Sequence, residues 1–365
     1  MGSVALPSRI MLDLGPRARA FGDATIARGD SRSWDFLGNV PVPLRARVRD
    51  GVADEMTAQR LAGGETLRCC FPMGQGGVGP FDRLRLIRDI DDFPRMLVSA
   101  EHGNAFNRSF HTNYVEAGRF GACQPASAAP VFADCGLFDP KGWIGVFAVA
   151  PFVLLIDRQR LDGLPVPRRW ADLADPIYRG QVVFGGWRRE GDAHWSQVSK
   201  FFLLAMLRLL GQKGLTDIIA NVPQLLHSAQ MPRVAGTGMS PGGIYVLPWS
   251  LADICPRRTH TEVVWPEEGA LAYPLWLTVQ SAHQDRLGFL IDHFYGAALG
   301  RYLSANRYPA LCPELAPDLP AGARLTWLGW DYLRHRSTAD DIRQACRLFA
   351  DAQAARRDTE IQRCA

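Results

Sequence analysis

The sequence predicts an α/β chain built around parallel strands. Three observations carry that expectation. Short apolar runs alternate with helix-spaced segments from Thr66 onward, and two unusually long apolar runs stand at 143–156 and 271–279. The 365 residues are 47% hydrophobic and 21% charged, an ordinary globular composition. Alternating strands and helices mark parallel α/β architecture, and the length gives room for two packed halves. Basic residues number 41 against 37 acidic ones, and the excess of four is spread along the chain, so no footprint for nucleic acid is predicted. The longest apolar run near a helix, 201–207, ends at Arg208. A membrane span needs about 20 apolar residues, so no membrane insertion is expected.

Taken in order, residues 1–60 lack a strong period and read as an appended N-terminal extension, with 36–38 and 41–43 as docking points. Residues 1–30 show no continuous apolar core of the signal-peptide kind. Eight cysteines without a CxxC spacing read as free thiols in a reducing compartment. A cytoplasmic location is therefore expected, with a periplasmic one as the alternative for a processed or engineered start. Residues 67–73 are a buried-strand candidate closed by the glycines of 74–79, and 81–90 reads as a short helix. A second strand at 94–99 and a second helix at 105–117 follow. Residues 164–173 form a proline-punctuated turn into a short helix, 181–184 a strand, and 192–210 a helix. Strands at 244–247 and 263–265 precede the second long run, and a helix at 285–304 follows it. The chain ends in a helix at 338–357, with Thr338 as its N-cap and Asp340 and Asp341 in its positive first turn.

Three stretches together resemble the type II periplasmic-binding-protein fold, in the iron(III) and related branch of ABC-transporter substrate-binding proteins. They are LPVPRRWADLADPIYRGQVVFGG at 164–186, VWPEEGALAYP at 264–274, and 289–313, where a helix is followed by Asn306-Arg307-Tyr308-Pro309. The resemblance implies two α/β lobes joined by a hinge of two crossover segments, which the long apolar runs would supply. Lobe 1 is then 61–150 with 272–314, lobe 2 is 151–271, and 315–365 is a C-terminal helical extension. It further implies capture of a small-molecule or ion ligand by hinge closure. The partner is an ABC permease or, for a cytoplasmic carrier or sensor, a cytoplasmic protein. Ligands of such lobes sit at strand ends and helix N-termini. The candidate ligand-binding residues are therefore Met73, Gly74, Gln75 and Gly76 after the first strand, and Ser99, Gly103 and Asn104 after the second. In lobe 2 they are Gly186, His194, Trp249 and Ser250, with Glu267 and Tyr273 beside the return crossover.

Several motifs point elsewhere and are weighed against these. Gly74–Gly79 satisfies GxGxxG after a strand, so a dinucleotide-binding oxidoreductase is an alternative. Pro80 fits it badly, and Asp89, Asp91 and Asp92 precede the next strand, whereas a ribose-binding acid follows it. Gly238-Met239-Ser240-Pro241-Gly242 satisfies GxSxG, but the oxyanion hole needs an N–H from the residue after serine and proline has none. The eight histidines show no HExxH or HxH spacing, and no two tyrosines are adjacent as in ferric binders of the resembled family. No metal site and no cofactor is expected. An enzyme on the same fold, using cleft acids and His194, is the main rival to a solute binder. A structural module with a filled cleft is the third reading.

Overall fold

The two long apolar runs pair with each other. Residues Gly145–Asp157 form β6 and Ala270–Gln280 form β13, antiparallel from Leu277 beside Gly145 to Leu271 beside Phe152. Every residue of both strands is buried, which is why neither shows the alternation of a half-exposed strand. The structure is a computed structural model, and it describes residues 10–13, 34–72, 80–100, 106–126, 129–189, 192–194, 197–335 and 338–364.

Lobe 1 is built on one side of this pair. Strands β1 (Ile10–Asp13), β2 (Phe36–Gly38), β3 (Cys69–Pro72) and β4 (Met96–Ser99) are parallel, in the order β1-β3-β2-β4. β4 lies antiparallel against β13, and β5 (Phe120–Gly121) pairs with the last residues of β13. Lobe 2 is built on the other side. β11 (Ile244–Pro248) and β12 (Thr261–Val264) run antiparallel to β6, and β7 (Val182–Gly185) is parallel to both β11 and β10 (Leu225–Leu226). A hairpin of β8 (Trp187–Arg189) and β9 (Asp192–His194) follows β7, and β14 (Leu325–Thr326) pairs with the first residues of β13. The result is the two-lobed α/β architecture with both crossovers running through one sheet.

Two prolines lie in the middle of the crossovers. Proline breaks a ladder bond inside a strand and is tolerated only where its nitrogen faces no partner. Val149 donates to Pro309 O (3.0 Å) and Leu311 donates to Phe147 O (2.8 Å), while β11 begins its pairing only at Phe152. By the alternation of a strand, Pro151 aims its nitrogen the same way as Val149. That position lies between the two partners. Pro274 in β13 likewise precedes Trp276, where β4 begins to pair.

The helices cover the sheet. Those used below are α1 (Val42–Leu61), α2 (Arg108–Phe110, continued as a π-turn over His111–Val115) and α3 (Gln197–Asn221). They are followed by α4 (Trp249–Asp253), α5 (Gly288–Tyr295), α6 (Ala297–Ala305), α7 (Trp330–Arg334) and α8 (Thr338–Cys364).

Several expectations need correction. The segment read as an appended arm carries β2, whose Phe36 and Leu37 are fully buried between β3 and β4, and α1, which packs against α5. Residues 34–61 therefore belong to the lobe 1 core. The single helix expected at 192–210 starts at Gln197, because 192–194 pairs with 187–189, and it runs on through a break at Gly211 (φ 71°). The helix expected at 285–304 is two helices parted at Gly296. Thr338 does not cap α8: its hydroxyl donates to Tyr332 O. The 164–186 stretch folds as its residues suggest. Trp170 is fully buried with its Nε1 donating to Gly269 O (2.9 Å), and Asp172 accepts the Arg168 and Arg169 N–H groups at 2.8 and 2.9 Å.

Candidate functional site: the strand-end gap between the lobes

Register alone locates the site. Along lobe 1, β4 ends at Ser99, opposite Trp276, which lies opposite Val146. Along lobe 2, β11 ends at Pro248, opposite Phe152. The carboxyl ends of the parallel strands thus converge on the middle of β6 from opposite directions, with five residues between them, about 20 Å from Val146 to Phe152. Ligands of open parallel sheets bind outside the carboxyl ends of the strands. The two prolines lie in the same interval.

The sequence-predicted residues divide into three groups. Met73, Gly74, Gln75, Gly76, Gly103 and Asn104 lie outside the described residues. Ser99, Gly186, Trp249 and Ser250 stand at strand ends: Ser99 closes β4, Gly186 follows β7 and donates to Leu226 O (3.1 Å), and Trp249 and Ser250 open α4 directly after β11. His194 closes β9, in register with Trp187. Glu267 and Tyr273 do not join them. Glu267 is exposed on the turn before β13, with its N–H donated to Arg168 O (2.9 Å). The adjacent Glu268 accepts the Trp170 N–H (2.7 Å) and so has a structural task. Tyr273 is 1% exposed, and its ring meets Phe201 of α3 edge-on at 5.0 Å, inside the core. Its backbone pairs with Ala150, inside the strand-end interval, while its ring packs on α3.

Trp249 and Ser250 are held by residues that the sequence offered as part of the resemblance and not as site residues. The Arg307 guanidinium lies 4.9 Å over the Trp249 ring, and Trp265 meets the same ring edge-on at 5.4 Å. Arg307 also donates to Asp253 (3.1 Å) and Asp318 (3.2 Å). Ser250 Oγ donates to Tyr308 OH (3.1 Å), and burial pushes the Tyr308 phenol up to about 12 against the lowering effect of that hydrogen bond. Tyr308 is therefore neutral at physiological pH. Arg307 and Tyr308 follow α6, so these contacts tie lobe 2 to the segment returning from lobe 1. Arg307 has φ 63° in the left-handed region, unusual for a side chain other than glycine, asparagine or aspartate. Its ion pairs and ring contact hold it there. Arg307→Gly is accordingly expected to destabilise the protein roughly 0.5–1 kcal/mol less than Arg307→Ala, since both lose the guanidinium and only alanine keeps the backbone strain. Urea unfolding of the two variants measures the difference.

Asn39 was also missed. It follows β2 at the strand-end level, donates its N–H to Val98 O (2.9 Å), and buries an Oδ1 with no partner among the described residues. A buried unpaired acceptor costs about 1–3 kcal/mol and calls for a donor. The GxSxG serine, by contrast, is structural: Ser240 Oγ bonds Gly242 O (2.9 Å) and Tyr245 OH (2.6 Å). Among the described residues no cluster of three His, Cys, Asp or Glu side chains has metal-binding geometry, and no helix is long and apolar enough to cross a membrane.

Comparison with known proteins agrees with this geometry. Residues 91–336 match the family model described as bacterial extracellular solute-binding protein. Among solved structures, the Bordetella ferric binding protein is similar at 16% identity, with 87% of this chain and 98% of that one covered and a TM-score of 0.57. The Trichodesmium protein IdiA (FutA), in complex with iron and citrate, is similar at 11% identity, with 86% and 98% covered and a TM-score of 0.53. The substrate binding protein of an ABC transporter from Agrobacterium tumefaciens is similar at 12% identity, with 86% and 95% covered and a TM-score of 0.51. No curated protein matches the sequence. With two thirds of its length matched and both crossovers in one sheet, the chain belongs to the bacterial extracellular solute-binding protein family.

Proposed function

We propose that this solute-binding protein captures its ligand at the strand ends, over the middle of β6, and releases it unchanged. The observation that carries the reading is the register: strands of both lobes end facing one interval of the crossovers, the interval in which Pro151 and Pro274 lie. Asn39, Ser99, Gly186, Trp249 and Ser250 are the described residues we assign to the rim. They offer a ring face, a hydroxyl and an unpaired amide oxygen, a set suited to orienting a small solute and poor in groups for acid–base chemistry. Ferric ion is bound by several of the structural neighbours. Among the described residues no three His, Cys, Asp or Glu side chains have metal-binding geometry, so iron carried by its own chelator, as ferric citrate, is the form we include in the test. Delivery to an ABC permease fits the family, and the described cysteines, all free thiols, fit a reducing compartment or a periplasmic one equally.

The test is native mass spectrometry of freshly purified protein, followed by thermal shift with ferric citrate, simple anions and amines. A bound solute is expected to appear as an added mass. At 100 times its dissociation constant, the solute should stabilise the fold by about 2.7 kcal/mol. Turnover of any such compound, lost in His194→Ala, would establish an enzyme instead.

A further inference from the structure

We infer that the five-residue helix α7 holds the two lobes at a set angle, with Trp330 and Arg334 as positioning residues. Its value for capture rests on the inter-lobe reading above. The mechanical claim does not.

At 3.6 residues per turn, Trp330 and Arg334 fall roughly 40° apart around α7, and Tyr332 faces nearly the opposite way. The first pair grips lobe 1. Trp330 Nε1 donates to Leu137 O (2.7 Å), Arg334 forms an ion pair with the fully buried carboxylate of Asp139, and its guanidinium stacks 4.8 Å over Trp143. Asp139 also accepts the N–H groups of Trp143 and Ile144, both at 3.0 Å. Those residues lead straight into β6, so the grip is fastened to the root of a crossover. Tyr332 grips lobe 2, its ring lying 4.9 Å under the Arg208 guanidinium of α3. Flanking contacts keep the chain on lobe 2 at both ends. Trp327 stacks on Phe201 at 6.0 Å before α7, and after it Gln344 bonds Gln212 (3.1 Å) and Phe349 packs on Phe184 (6.0 Å).

The hold on lobe 1 is local. Beside Trp330 and Arg334, α7 and lobe 1 enclose a groove of about 530 Å³ lined by Phe106, Arg108, His111 and Lys141 among others. The two faces are therefore joined through the buried Trp330 and Leu333 and the Arg334 ion pair beside this groove. A rotation that parts 137–143 from α3 must break one set of contacts, because a single turn of helix cannot stretch. Loosening the grip adds lobe angles that do not bind, and apparent affinity falls with the binding-competent fraction.

The experiment needs no solute. Spin labels are placed on genetically encoded keto residues at exposed Arg85 in lobe 1 and exposed Arg179 in lobe 2, and pulsed dipolar spectroscopy reads their separation. The otherwise unaltered chain is expected to give one narrow distance. Trp330→Phe, which keeps a ring and loses the N–H, and Arg334→Gln are each expected to broaden it by several ångström toward longer separations. Folded variants whose distributions superimpose on that of the parent would overturn the assignment. Should a variant fail to fold, hydrogen exchange of the unaltered protein decides. Peptides over 330–334 are expected to exchange together with 137–144, and exchange of 330–334 within seconds, independent of 137–144, refutes it. A result with α7 confirmed and no solute bound would leave this inference standing and remove the capture reading.

Discussion

Trp170→Ala is expected to cost about 4–5 kcal/mol, the largest single-residue effect in the molecule. The indole is fully buried, tilts against Phe202 of α3 at 5.8 Å and donates to Gly269 O. Truncation opens a large cavity and leaves that carbonyl without its donor. The consequence is more than local, since Gly269 immediately precedes β13 and Glu268 holds the Trp170 N–H. The indole therefore pins the return crossover to lobe 2. Trp170→Phe refills much of the volume without the N–H and is expected to cost about 2 kcal/mol. Urea unfolding followed by far-ultraviolet circular dichroism checks both. Equal losses in the two variants would mean that the hydrogen bond dominates over packing.

The second large effect lies in lobe 1. Asp35 is buried just before β2, accepts the Arg68 N–H (2.7 Å), and pairs with both Arg95 and Arg286. Burial alone would raise its carboxyl, but the Arg68 N–H and the two guanidinium groups outweigh it and hold the group below the ordinary carboxylate value. Asp35→Asn leaves two half-buried cations facing a neutral amide. A loss of about 3 kcal/mol at pH 7 is expected, at the low end for a broken buried pair because both arginines keep some access to water. The sign with pH follows from the lowered value. The carboxylate's contribution is fully present above the unfolded value of about 3.9 and disappears as pH falls through the lower folded one. The unaltered protein and Asp35→Asn should therefore keep a constant gap in stability above about pH 4 and converge as the pH falls below it. Thermal melts across that range measure it.

The crossovers were readable because burial on both faces leaves a long apolar run whatever the partner. The turn at 164–180 was readable because its proline, tryptophan and aspartate act locally, on N–H groups within a few residues. What went unread was either brief or distant. β2 is three residues long, and α1 announces itself only through Leu44, Val48, Val52 and Met56, a stripe spaced by four among many arginines. That stripe was a usable sign. The grip of Arg307 on Trp249, by contrast, joins positions far apart in the chain through a left-handed arginine, and no local pattern encodes it. Glu267 looked like a ligand group because acids near a crossover attract notice; its neighbour Glu268 shows the pair serving a turn.

The shared sheet also bears on how the protein is made. β4 meets β6 only through β13, so the first lobe cannot finish until residues 270–280 have left the ribosome. By then the whole inserted half, 158–264, is already outside and free to fold. At 5–20 residues per second, the apolar edge of β4 waits roughly 10–40 s for its missing neighbour. For that interval the nascent amino-terminal third is a natural client for chaperones, and a slowly translated stretch before residue 270 would lengthen its exposure.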